Sequence, residues 1–170
     1  MPGKRPSRWP GAWQTAADFS GQHLGPIDCK IIAAEFGFRG FIAALTSIAL
    51  DGQPLSGSTP GKHPHSGRES FEEFGVDKAD ANISAFKLFC EALASSRIEI
   101  ISMKNCYLGP QALNLLADAI KLMAAVTSVN CLHNPLGEGV HAIIKIFEET
   151  PRIRTLCGFE EGVEQIDWSN

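Results

Sequence analysis

The chain has 170 residues, 44% hydrophobic and 20% charged, with a net charge of −4 at neutral pH. That length allows one domain with a sizeable core. The acidic balance excludes a dedicated nucleic-acid binder, which needs a concentrated basic face. The first fifteen residues hold three prolines and no apolar run, and the longest apolar run, residues 40–50, is about half of what a bilayer span needs. Neither a secretory signal nor membrane attachment is therefore expected. The five cysteines (29, 90, 106, 131 and 157) are odd in number, widely spaced and without a C-x-x-C pair. They predict reduced thiols in a cytoplasmic chain, not a disulfide framework or a zinc site.

Residues 1–12 are rich in Pro, Gly and basic side chains and read as a disordered lead, with Lys4, Arg5 and Arg8 as a solvated tail. Ala17, Phe19, Gln22, Leu24, Gly25 and Pro26 then begin a first, irregular unit, although Gln14 stands where its first apolar residue belongs. Cys29, Ile31, Ile32 and Phe36 follow at helical spacing. A second unit follows with Leu45, Ile48, Leu50, Gln53 and Leu55, and its Leu55 is the counterpart of Leu24. The next equivalent leucines are Leu108 and Leu136. The interval from Leu55 to Leu108 is nearly twice the interval on either side of it.

The surplus falls at 58–82, a stretch of Gly, Pro, His, Ser and charge with few aliphatics. It predicts a loop insertion between a strand and its helix. Phe71, Phe74 and Val76 are the residues that would tuck it down. The helix resumes at residues 83–93, with Ile83, Phe86, Leu88, Phe89, Cys90 and Leu93 as its expected buried stripe.

Residues 98–147 then state one pattern twice. Ile98, Ile101, Met103, Cys106, Leu108 and Gly109 match Val126, Val129, Cys131, Asn134, Leu136 and Gly137, each pair separated by the same interval. Each copy leads into a helical pattern, with Ala112, Leu113, Leu116 and Ile120 facing inward in the first and Val140, Ile143, Ile144 and Phe147 in the second. Pro110 suits a helix start, and Pro151 ends the last helix. Ile153, Thr155 and Leu156 suggest another strand. Residues 166–170 repeat the flavour of residues 17–21, which predicts a chain cut from a longer array.

A fixed period with the spacing L-x-x-L-x-L-x-x-N/C-x-L-G resembles the leucine-rich repeat, in its ribonuclease-inhibitor-like, helix-bearing class. The resemblance runs from about residue 17 to residue 156. It implies an α/β solenoid, a short horseshoe with parallel strands on its concave face and helices on its convex face. The boundaries that follow are a lead at 1–12, two units at 13–57, the insertion at 58–82 and the remaining repeats at 83–170. Alternate strand residues point into such a solenoid. The Asn or Cys at the turn hydrogen-bonds backbone that the turn leaves unpaired. Asn134 suits this best, Gln53 and Gln22 are longer substitutes, and Cys106 is a weaker one.

Members of this class bind proteins and carry no chemistry of their own, so the expectation is a non-enzymatic interaction module or scaffold. The outward residues Asp51, Glu99, Ser102, Lys104, Asn105, Asn130, Leu132, His133 and Arg154 are its candidate partner contacts, beside Thr46, Ser47, Ala49, Gly52, Ile100, Thr127 and Ser128. Two alternatives are regulation of a small GTPase, by family analogy, and a purely structural segment of a larger array. A protein partner is expected. A nucleic acid, a membrane, a small-molecule substrate, a cofactor and a metal are not. The histidines at 23, 63, 65, 133 and 141 form no motif with a nucleophile, and His63-Pro-His65 lacks a third ligand. Glu72-Glu73 and Glu148-Glu149 read as surface charge, and Gly52-x-x-x-x-Gly57 lacks the Lys-Ser/Thr of a phosphate loop.

Overall fold

A computed structural model describes residues 15–37 and 44–158. The expected lead at 1–12, Gln14 and the repeat at 166–170 lie outside them. In chain order the elements are β1 (Ala16–Asp18), α1 (Pro26–Gly37), β2 (Ser47–Ala49), β3 (Thr59–Lys62), β4 (Glu69–Ser70), α2 (Phe71–Phe74), β5 (Val76–Lys78), α3 (Ile83–Ala94), β6 (Ile100–Ser102), α4 (Pro110–Leu122), β7 (Ser128–Asn130) and α5 (Gly139–Glu149). The molecule is α/β, and β1, β2, β6 and β7 lie side by side in one four-stranded sheet.

Every pair in that sheet is parallel and stays in step. Ala16 pairs with Ser47, Ser47 with Ile100, and Ile100 with Ser128. The intervals along this row are those along the leucine series Leu24, Leu55, Leu108 and Leu136. The unequal sequence spacing is thus absorbed without a slip, and the extra residues leave between β2 and α3.

Each strand is only three residues long, with its central side chain pointing into the molecule. Ile48, Ile101 and Val129 are buried there, flanked by Leu45 and Leu50, Ile98 and Met103, and Val126 and Cys131. Parallel neighbours need a long crossover, and helices supply it. The helices pack in sequence, α1 on α3, α3 on α4 and α4 on α5, over the strand side chains. The last expected strand is reduced to bridges. Ser128 meets Thr155 in parallel and Asn130 meets Cys157 antiparallel, before Gly158 turns away at φ +72°.

In α4 the inward residues Ala112, Leu113, Leu116 and Ile120 are buried as the pattern predicts. Four apolar residues expected inside are instead exposed: Ile31, Leu88, Ile144 and Phe147. A helix presents a stripe of about 100° to its neighbours. In α3 that stripe is filled by Ala85, Phe86, Phe89, Cys90 and Leu93, and Leu88 falls beside it. In α5 it is filled by Gly139, Ile143 and Ile146, which leaves Ile144 and Phe147 on the flank away from α4.

The insertion is also not a loop. Strands β3, β4 and β5 make an antiparallel sheet in the order β4-β3-β5. Its hairpin closes through the His63 N–H to the Arg68 carbonyl (2.8 Å) and the Gly67 N–H to the His63 carbonyl (3.0 Å). Ser70 caps the short α2 by accepting from the Glu73 N–H at 3.2 Å. Lys62–Glu69 and Arg68–Glu73 ion pairs sit on its exposed surface.

Candidate interaction face

At the end of each strand the chain must turn by a fixed amount to reach its helix, and one position in every unit supplies the turn. Gly21, Gly52, Asn105 and His133 are that column, with φ of 66°, 76°, 55° and 59°. Glycine, and among the other residues Asn and His, tolerate this left-handed region best. The sequence pattern reads Gly52, Asn105 and His133 as outward contacts. Their backbone has already left the strand, so each also has a conformational reason to be the residue it is.

In the later three units the next residue faces inward and joins the units together. Gln22, expected to do the same, is exposed and donates only to the Asp18 carbonyl of its own unit at 3.4 Å. The Asn134 amide donates to the carbonyl of Met103 in the preceding unit (2.8 Å) and of Cys131 in its own (2.9 Å), and its Oδ1 accepts from the Leu108 N–H (3.0 Å). Gln53 repeats this between the first two units. It donates to Phe19 (2.8 Å) and Leu50 (3.3 Å), and accepts from the Leu24 N–H. The Cys106 thiol donates to the Leu50 carbonyl of the preceding unit at 3.0 Å and to the Lys104 carbonyl of its own at 3.7 Å.

A thiol suffices at 106 because its neighbour asks for less. The Leu55 N–H already bonds the Gln53 carbonyl across Pro54 (2.8 Å), as the Leu136 N–H bonds Asn134 across Pro135 (2.8 Å). In the other two turns His23 and Tyr107 stand at the proline positions with φ of 59° and 53°. There the leucine N–H is turned toward the following unit and needs an amide oxygen. The alternation of Gln or Asn with Cys follows from which turns satisfy themselves.

Above these turns lies the sheet face. Glu99, Asn105, His133 and Arg154 are exposed, while Asp51, Ser102, Lys104, Asn130 and Leu132 are half-buried. The face brings all nine into neighbouring rows, but several are committed to the fold. Asp51 Oδ1 accepts from the Ser102 hydroxyl (2.7 Å) and the Lys104 N–H (2.9 Å). Asn130 Oδ1 accepts from the Leu132 N–H (3.1 Å). Thr46 and Thr127 spend their hydroxyls on the carbonyls of Thr15 and Glu99. Arg154 extends the same row through its N–H to the Thr127 carbonyl at 2.7 Å.

The insertion is fixed to this edge of the sheet by Asp80 and Ser58, which the sequence does not single out, and by Phe71, which it does. Asp80 is buried, with its Oδ1 accepting from Gly109 (2.9 Å) and its Oδ2 from the N–H groups of Gln111 (2.9 Å) and Ala112 (3.1 Å). It does the work of an N-cap for α4, delivered from the far end of the insertion. The Asp80 N–H bonds the Ser58 hydroxyl (3.0 Å), which donates to the Tyr107 carbonyl (2.6 Å). Phe71 stacks on the Tyr107 ring, centroids 3.8 Å apart. One signal is available in the sequence: α4 begins Gly109-Pro110, with no side chain of its own to cap the orphan N–H groups of its first turn. A Cβ at Gly109 would lie 2.6 Å from Asp80 Oδ2, so the glycine is also what lets the carboxylate in.

Four of the thiols are buried, and Cys157 is half-buried. Burial pushes Cys29, Cys106 and Cys131 up to about 12, and pushes Cys90 up as well. All five cysteines are free. His63 Nδ1 accepts from the backbone N–H groups of His65 and Ser66, and His141 lies on the exposed surface 3.5 Å from Glu138. Among the described residues no cluster of three His, Cys, Asp or Glu side chains is placed to hold a metal ion. No helix among them is long and apolar enough to cross a membrane. No protein-family model matches the chain, and no curated protein matches it.

Proposed function

We propose that this chain is a leucine-rich repeat solenoid of the ribonuclease-inhibitor-like class, and that it works in the cytoplasm as a non-enzymatic protein-binding module. The observation that carries this reading is the constant register of the sheet. The unequal steps from Ala16 to Ser47, to Ile100 and to Ser128 all return equivalent side chains to the same row. A face built that way offers polar and charged groups at fixed spacing on a rigid support, which suits recognition by many distributed contacts. The inward amides at 53 and 134 and the thiol at 106, each bonding backbone of the neighbouring unit, support this reading. Glu99, Lys104, Asn130 and Arg154 are the contacts, and the insertion stands at the rim as a second wall.

The test is comparative capture of proximal proteins in cells. One bait carries Glu99→Lys, Lys104→Glu and Asn130→Asp, the last keeping the oxygen that Leu132 bonds. A control bait carries Lys87→Glu on the outer side of α3. The proposal expects a partner that the sheet-face bait loses and the control bait keeps. Identical partners for native, sheet-face and control baits would overturn it.

A further inference from the structure

Two threonines in the chain precede a proline, Thr59 before Pro60 and Thr150 before Pro151. Only the first carries a basic residue three places on, Lys62; the second has Ile153 there. The fold separates them further. Thr150 closes α5 and is 6% exposed, whereas Thr59 is exposed at the start of β3. Side chains alternate along a strand, so Ser58 turns inward to the Tyr107 carbonyl and Thr59 turns out beside it. The backbone there is held on one side only. Thr59 and Pro60 pair with Lys78 and Val76 of β5, across a break in register, while β4 begins its pairing at Gly61. Pro60 has no N–H for a neighbour and keeps Thr59 extended. A short, irregular ladder of this kind opens locally at small cost.

An exposed hydroxyl on extended chain, followed by proline and then by a cation, is the pattern read by a proline-directed protein kinase with an acidic subsite. We propose that Thr59 is a phosphorylation site for a kinase of that class, and that its phosphate pairs with Lys78. In the transfer the Thr59 Oγ1 attacks the γ-phosphorus of ATP. The new O–P bond forms as the bond from the γ-phosphorus to the β–γ bridging oxygen breaks. ADP leaves, and the hydroxyl proton passes to a carboxylate of the kinase. Lys62 is engaged with Glu69, but that pair is largely exposed and worth little, so the kinase can take the lysine. The product gains nearly two negative charges at this point. Directly opposed residues on antiparallel strands have Cβ atoms about 5 Å apart. Lys78 stands there, exposed and without an ion-pair partner among the described residues. The phosphate therefore ties β3 to β5 at the residue next to Ser58, whose hydroxyl holds the Asp80 N–H.

What the sheet face binds has no part in this. The test incubates the full chain with ATP and a purified cyclin-dependent kinase, beside a free peptide of residues 54–66, and locates phosphate by tandem mass spectrometry. The expected result is one phosphate on the folded chain, at Thr59 and not at Thr150. Thr59→Val stays unmodified, and Lys62→Ala is modified several-fold more slowly. A chain left unmodified while the peptide is phosphorylated would overturn the proposal, because β3 then withholds the hydroxyl. So would phosphate at Thr150 or another residue instead of Thr59, or none on either substrate. The pairing is read by amide hydrogen exchange at Gly61, whose N–H bonds the Gly75 carbonyl at 2.8 Å. Phosphorylation is expected to slow that exchange several-fold in the native chain, and to leave it unchanged in a Lys78→Ala chain that still takes the phosphate. No slowing, or equal slowing with Lys78→Ala, would overturn the pairing.

Discussion

The stacked units and the insertion are held by different kinds of interaction. The units share a continuous apolar core, from Cys29 through Phe86, Ile101 and Leu113 to Ile143, and a repeated backbone register. The insertion has no buried aliphatic cluster. It is fastened by one carboxylate, one hydroxyl and one ring stack. The first kind of stability is spread over many side chains and is forgiving of variation in any turn. The second rests on single atoms, and makes the insertion part of the edge where α4 begins.

Breaking the core is expected to have the largest effect. Phe86 is fully buried between α3 and its neighbours, and Phe86→Ala should cost about 3–5 kcal/mol in urea unfolding. An unchanged midpoint would mean that the units do not share a core. The next effect is alkaline. Cys29, Cys106 and Cys131 have folded-state values raised from 9.0 to about 12, so the unfolded chain ionises first. Stability is fully present below pH 9 and falls as the pH rises through 9 to 12. The loss steepens with each thiol that ionises first in the unfolded chain. Replacing the three by Ala should flatten the alkaline limb, and a limb that stays as steep contradicts the assignment.

Within the turns the comparison becomes finer. Asn134→Ala strands the Leu108 N–H and the Met103 carbonyl, and should cost about 2 kcal/mol. Cys106→Ala removes one weak donor and a small apolar volume, for about 1 kcal/mol. Equal losses would refute the account of why the turns alternate. The smallest effect belongs to the ring stack: Phe71→Ala should cost about 1 kcal/mol and loosen the insertion alone. Amide exchange that rises in residues 59–78 and stays constant at β6 and β7 is the expected pattern.

Much of the array was legible in sequence because its signals repeat. The steps between the leucines equal the register steps of the strands, and the expected parallel strands and crossover helices are present, although the last expected strand is reduced to bridges. Periodicity reports only a helix's inward stripe, so it assigned Leu88, Ile144 and Phe147 to a core that ends beside them. The insertion defeated the same method. Residues 58–82 have too few aliphatics to show a strand period, and their order comes from turn bonds, a hydroxyl cap and ion pairs. The candidate face was half legible. The outward rows at 99–105 and 127–133 were found, but alternation does not show that Asp51 is already bonded to the next strand. Nor does it show that Asn105 and His133 sit in left-handed turns. Asp80 left no mark where it stands in the sequence, only a helix start without a cap of its own.

The claim that insertion and array form one structure is tested most directly by amide hydrogen exchange on Asp80→Ala. The account predicts that the Gly109, Gln111 and Ala112 amides lose their protection together and that the insertion loosens with them. The amides of β7 keep theirs. Unchanged protection at Gly109, Gln111 and Ala112 would contradict it.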